Sequence, residues 1–131
     1  MSEPVFIQAE GAQIAPGSGA AIAVPSGQPI TLQDVIWNVP GPEGLTLRFR
    51  FIAPQIARDG GTVDYATATE DMLHLCQTYA LAQVGNFGPT PSQIVISLSD
   101  RPVPFGETAP EATQFFEAYG LQDGNCIWEM F

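Results

Sequence analysis

Lysine is absent from this chain of 131 residues, and histidine occurs once, at His74. Without lysine there is no Schiff-base chemistry on an amine side chain. The four bases are all arginine, against 14 acids, for a formal net charge of -10. Such a chain lacks the clustered cations that nucleic-acid phosphates or an anionic membrane surface require. The acidic balance alone is a solubility property and implies no partner. Cysteine is scarce too, with Cys76 and Cys126 far apart, so the C-x-x-C redox motif is missing. One histidine and two cysteines make a poor zinc set. There is no EF-hand spacing for calcium and no glycine-rich loop to cradle a phosphate. No metal and no cofactor is expected. No apolar stretch reaches bilayer length, so membrane insertion is not expected. Met1-Ser2-Glu3-Pro4 lacks the positive n-region of a signal peptide. A periplasmic or exported location is therefore expected if a leader has been removed, and a cytoplasmic one otherwise.

What is present is a globular composition. Hydrophobic residues make up 45% and charged residues 14%, the reverse of a disordered chain. A chain of this size buries roughly two thirds of its unfolded surface, enough for one core. Residues 1–28, rich in Ala, Gly, Ser and Pro, read as a weakly ordered lead-in or an edge strand. Residues 29–131 read as a single domain. Ile30, Leu32, Val35, Ile36 and Trp37 form a strand, and Pro40 to Gly44 a turn. Leu45 to Ile52 alternates, with Leu45, Leu47, Phe49 and Phe51 on one face and Thr46, Arg48, Arg50 and Ile52 on the other. Those two strands make an antiparallel hairpin. Thr67-x-x-Glu70 has the pattern of a capping box opening a helix. Met72, Leu75, Cys76 and Tyr79 share its apolar face, and Gly85 is its expected stop. Gln93 to Ser99 is a central strand. A second capping pattern, Thr108-x-x-Glu111, predicts a second helix bearing Phe115, Phe116 and Tyr119 and ending at Gly120. Asp123-Gly124 then turns into a closing strand, Cys126 to Phe131. The order ββαβαβ predicts an α+β fold: one two-layer domain, a four- to five-stranded mixed sheet with two helices on one face.

Several side chains could carry function. Cys76 on the helix and Cys126 on the closing strand either form a disulfide or remain two buried thiols, and sequence alone leaves both states open. His74 sits on the polar face of the helix near Glu70, two residues from Cys76, so the two side chains diverge and make a poor dyad. Glu70 and Asp71 form a carboxylate pair, but acids suit the start of a helix in any case. Arg48 and Arg50 lie on the outward face of the hairpin strand. With Arg101 they could form a positive island for a carboxylate or phosphate, or they could pair with acids such as Glu43 or Asp100. The stiff loop Arg101-Pro102-Val103-Pro104-Phe105-Gly106 either presents Phe105 to a partner protein or uses it to plug the core.

Taken together, Pro25-Ser26-Gly27, Thr31-Leu32, Leu47 to Phe51, Leu75-Cys76, Ile96 to Gly106, Phe115-Phe116 and Cys126-Ile127-Trp128-Glu129 resemble a family of small uncharacterised proteins from alphaproteobacteria of the Rhodobacter group. The resemblance covers about residues 24–131. Members of that family often carry a leader before the Pro-Ser-Gly segment, which implies export. Some bear the label acetolactate synthase. This chain does not fit that label: it has no recognisable thiamine-diphosphate site, and one small domain is too short for that catalytic fold. Residues and resemblance together lead to the expectation of a non-enzymatic binding or interaction module, with another protein as its partner and no specified oligomeric state. The alternative is a cytoplasmic accessory subunit with reduced cysteines. A hydrolase using Cys76 or Asp100 would need a cleft that a single histidine makes hard to equip.

Overall fold

The alternating stretch from Leu45 lies at the centre of a sheet that follows chain order from edge to edge. The computed structural model of the chain describes residues 5–6, 13–41, 44–87 and 90–129. Its strands are β1 (Val5–Phe6), β2 (Gln13–Pro16), β3 (Thr31–Gly41), β4 (Gly44–Ile52), β5 (Gln93–Ser99), β6 (Gln114–Gln122) and β7 (Asn125–Glu129), hydrogen-bonded in that order. β4 and β5 pair in parallel, and every other neighbouring pair is antiparallel. A parallel pair needs a long crossover. Here it is α1 (Tyr65–His74), which runs on through a π-helical stretch (Leu75–Ala80) and a 3-10 stretch (Leu81–Asn86).

Period two divides the sheet into two faces. Leu47, Phe49 and Phe51 of β4 and Ile94, Ile96 and Leu98 of β5 pack under the helix against Ala68, Met72, Leu75, Cys76 and Ala80. A bulge in β3 serves both faces. Leu32 pairs with Phe51 and Asp34 with Arg50, so Gln33 is an extra residue between them. Leu32 thereby points to the core and Asp34 to the open face, although they are two apart.

The expected two-helix α+β layout is overturned. Six strands of four residues or more, joined at one edge by the two-residue β1, carry one continuous helical segment. The hairpin of β3 and β4, the crossover and β5 stand where the pattern placed them. The second helix does not exist. The chain loops from Asp100 to Thr113, then Phe115 and Tyr119 lie on strand β6, paired with Leu98 and Ile94. Gly120, expected to stop that helix, sits inside β6, where a Cβ would come within 2.5 Å of the Glu129 carboxylate that crosses it to reach Gln93. The turn decides this region. Asp123 and Gly124, at φ 54° and 76°, form a two-residue connection between Gln122 and Asn125. That geometry matches the twist of two antiparallel strands and leaves no room for a helix end. Pro42, Glu43, Pro89, Met130, Phe131 and most of the lead-in before Gln13 lie outside the described residues.

The first helix also starts earlier than its Thr67 pattern implied. Asp64 is the N-cap, accepting a hydrogen bond from the Thr67 backbone N–H at 2.9 Å, which holds the Asp64 carboxyl below the usual carboxylate range. Asp71, read as a first-turn acid, is fully buried. It accepts from the Ser26 N–H (3.0 Å), the Ser26 hydroxyl (2.5 Å) and the Gln28 side-chain amide (2.7 Å). The carboxylate thus fastens the Pro-Ser-Gly turn of the lead-in to the helix. Asp71→Ala strands these donors in the interior and is expected to cost about 2 to 3 kcal/mol. Chemical denaturation measures it; a loss near zero would show that the segment does not depend on this anchor.

Candidate functional site

Because Leu47, Phe49 and Phe51 occupy the core side of β4, Arg48 and Arg50 face the opposite side. The two arginines meet different fates. Arg50 is buried and held by Asp34 across the strand pair, Nε to Oδ1 at 2.7 Å and Nη2 to Oδ2 at 2.8 Å. This bidentate geometry is the strongest form of the pair. Its Nη2 also donates to the Val103 carbonyl at 2.8 Å. The bulged Gln33 clamps the same residue, donating to the Val103 carbonyl at 2.9 Å. The Asp100–Thr113 loop is thereby folded over the open face. Phe105 lies under both cations, its ring centroid 6.0 Å from Arg48 Cζ and 5.4 Å from Arg50 Cζ, within cation–π range.

Among the described residues Arg48 has no carboxylate partner. Its Nε is buried without an acceptor, and the ion pairs among the described residues are Arg50–Asp34 and Arg101–Asp100. Burial, and then the charge of Arg50, lower the Arg48 pKa from its ordinary value. A cation in that state gains from any anion brought to it. There is room for one: a cavity of about 670 Å³ is lined by Arg48, Arg50, Arg58, Ser97, Phe105 and Thr108, among others. Arg58, which follows the 3-10 turn Pro54–Ile56, supports the far wall by donating to the Pro110 and Glu111 carbonyls at 3.2 and 3.3 Å.

The structure brings Arg48, Arg50 and Phe105 together at one cavity. Arg101 lies outside its lining and pairs with its neighbour Asp100, Nε to Oδ1 at 3.0 Å. Arg58 takes the place expected for Arg101. No motif marks it; only its scarcity as one of four bases could have drawn attention to it. Cys76 and Cys126 stand elsewhere, joined as a disulfide with sulfurs 2.09 Å apart. Cys76 is therefore not a free nucleophile. The Asp100 side chain is only 3% exposed and is occupied by Arg101. His74 is half-buried on α1 and accepts the Thr78 hydroxyl at its carbonyl. Among the described residues no group of three His, Cys, Asp or Glu is placed to hold a metal, and no helix is long and apolar enough to cross a membrane.

The model of one protein family matches residues 6–131, nearly the whole chain. The chain belongs to DUF6497, a family of unknown function. The DUF6497 match takes in the lead-in from Phe6 onward, both cysteines and every arginine of the open face. Comparison with curated proteins and with solved structures returns no match.

Proposed function

We propose that this chain is a binding module, not an enzyme, that works in an oxidising compartment outside the cytoplasm and takes a carboxylate or phosphate group at Arg48. The observation that carries this reading is the buried Arg48 Nε with no acceptor, at the wall of a cavity that also holds Arg50 and Arg58. In a chain of net charge -10, a recessed guanidinium set is a surface that an anion approaches favourably at short range. Arginine suits such a group because its planar fork donates twice to one carboxylate or phosphate. Phe105, on the clamped loop and within cation–π distance of both guanidinium groups, keeps them in place without neutralising them. The partner is proposed to be a protein that presents an acidic side chain. Location outside the cytoplasm is supported by the cysteine pair at disulfide distance and by the resemblance to Rhodobacter-group proteins that carry leaders.

Side-chain NMR of the arginine Nε–H groups tests the site. Titration with inorganic phosphate, with succinate and with a glutamate-rich peptide is expected to shift the Arg48 signal. Arg48→Met is expected to weaken binding at least about tenfold, roughly 1.4 kcal/mol, and Arg101→Met to leave it unchanged. A response to the peptide well below the concentrations needed for phosphate and succinate supports a protein partner. Silence in all three titrations, or equal loss in the two variants, overturns the reading. For the compartment, two free thiols in the denatured, non-reduced native protein, together with a cytoplasmic fraction, would favour an accessory subunit instead.

A further inference from the structure

On the helix side of the sheet, away from Arg48, two aromatic side chains converge on one carboxylate. Glu117 of β6 accepts the hydroxyl of Tyr65, the first residue of α1, on one oxygen and the indole N–H of Trp128 of β7 on the other. The register places them there: Trp128 stands opposite Tyr119, and Glu117 is two residues before Tyr119 on the same face. Glu117 is 9% exposed. A carboxylate that deep is ordinarily paired with a cation, yet both ion pairs among the described residues involve other acids. One neutral donor on each oxygen leaves the negative charge uncompensated.

A cavity of about 360 Å³ opens at this carboxylate, lined by Tyr65, Glu70, Leu73, Glu117, Tyr119 and Trp128. Tyr65, Leu73 and Trp128 are three of the five large apolar side chains left exposed among the described residues. Two of the three exposed aromatic side chains among the described residues, Tyr65 and Trp128, thus stand at this cavity, while Phe116 lines the arginine cavity on the other face. We propose that this cavity is a binding site for a small alkylammonium ion. Aromatic walls attract a cation through their ring quadrupoles, and a nitrogen clothed in methyl groups loses little hydration on entering them. Glu117 supplies the counter-charge at the floor. The hydrogen bond from Tyr65 to Glu117, with burial and the charge of Glu117 behind it, pushes the Tyr65 phenol up; burial, and then Glu117 and Tyr65, do the same for Tyr119. Both rings therefore stay neutral at physiological pH, and the net charge of -10 draws cations toward the molecule. A bare metal ion is poorly served, because among the described residues no third His, Cys, Asp or Glu is placed beside Glu70 and Glu117. An anion is repelled.

The test uses the intact chain and three probes: tetramethylammonium, choline, and 3,3-dimethylbutan-1-ol, the uncharged isostere of choline. The Trp128 indole N–H is followed by NMR, with Trp37, packed on Phe87 away from this cavity, as the internal reference. Both cations are expected to shift Trp128 at millimolar concentration and the isostere to bind at least about tenfold more weakly. Glu117→Gln, which keeps a polar partner for Tyr65 and Trp128, is expected to lower choline affinity about tenfold without affecting the isostere. Trp128→Leu, at an exposed position, removes the indole reporter and is followed by calorimetric titration instead, where it is expected to weaken both cations. Equal binding of choline and its isostere would reduce the site to an apolar cleft and overturn the proposal, as would an unmoved Trp128 signal with every probe. The outcome is independent of Arg48, which lies on the opposite face.

Discussion

Replacing Cys76 and Cys126 together by alanine is expected to lower stability by about 4 kcal/mol, the chain-entropy value for opening a loop of this size. The bond joins residues 50 apart in sequence, from the π-helical stretch of the crossover to β7. It ties the helical layer to the far edge of the sheet, at the edge strand β7. Gln77 makes a second, weaker tie at the same place: its side-chain Oε1 accepts the Cys126 N–H at 3.0 Å and its Nε2 donates to the Gly124 carbonyl at 3.2 Å. These bonds hold the helix end near the hairpin without the disulfide, but each contributes only about 1 kcal/mol. In a chain of this length the double substitution should lower the melting temperature by roughly 15 °C. Guanidinium denaturation and calorimetry of the double variant check this. A loss under about 1 kcal/mol would show that packing and the Gln77 hydrogen bonds hold the crossover to the β6–β7 hairpin without the disulfide.

The second large effect is expected at Asp34. Asp34→Ala leaves Arg50 buried with its two charge-assisted bonds unmade, and the cost of such an orphaned charge is about 3 to 5 kcal/mol. Arg50 keeps its bond to the Val103 carbonyl, which cannot replace a carboxylate. Removing both members, as in Asp34→Leu with Arg50→Met, is expected to restore most of the loss, since the pair's favourable interaction is largely spent on desolvating it. The double variant should still weaken the anion binding proposed for Arg48, because the Asp100–Thr113 loop loses the anchor that sets Phe105 beneath Arg48. Denaturation midpoints of the single and double variants, read as a double-mutant cycle, separate these contributions. If the single variant proves as stable as the parent, the pair is not the clamp described.

The parts of the fold that were legible in the sequence are those where one periodicity dominates. Leu45 to Ile52 alternates without interruption, and its partner strand, the helix face of Met72, Leu75 and Cys76, and Gln93 to Ser99 are equally plain. The segment around Phe115 was not, because Phe115, Phe116 and Tyr119 suit one face of a helix as well as a strand, and Thr108-x-x-Glu111 imitates a cap. The better clue was the Asp123-Gly124 pair, whose left-handed conformations belong to a hairpin and require strands on both sides. That one misreading also hid the cluster at Glu117: on a helix, Glu117 has no relation to Trp128, whereas on β6 the two are neighbours. The arginine site was half legible. Alternation put Arg48 and Arg50 on the open face, but which acid each would meet depended on a bulge at Gln33 that no local pattern announces.

Phe116 and Glu117 are adjacent on β6, yet one lines the arginine cavity and the other the aromatic cavity. The two sites therefore share a single register. Sliding β6 by one residue along β5 would exchange the two side chains, putting a carboxylate among the arginines and a phenylalanine where Tyr65 and Trp128 converge. The two-residue turn at Asp123-Gly124 and the seven-residue pairing with β5 thus do more than close the sheet. They keep the positive and negative sites of the molecule from trading places.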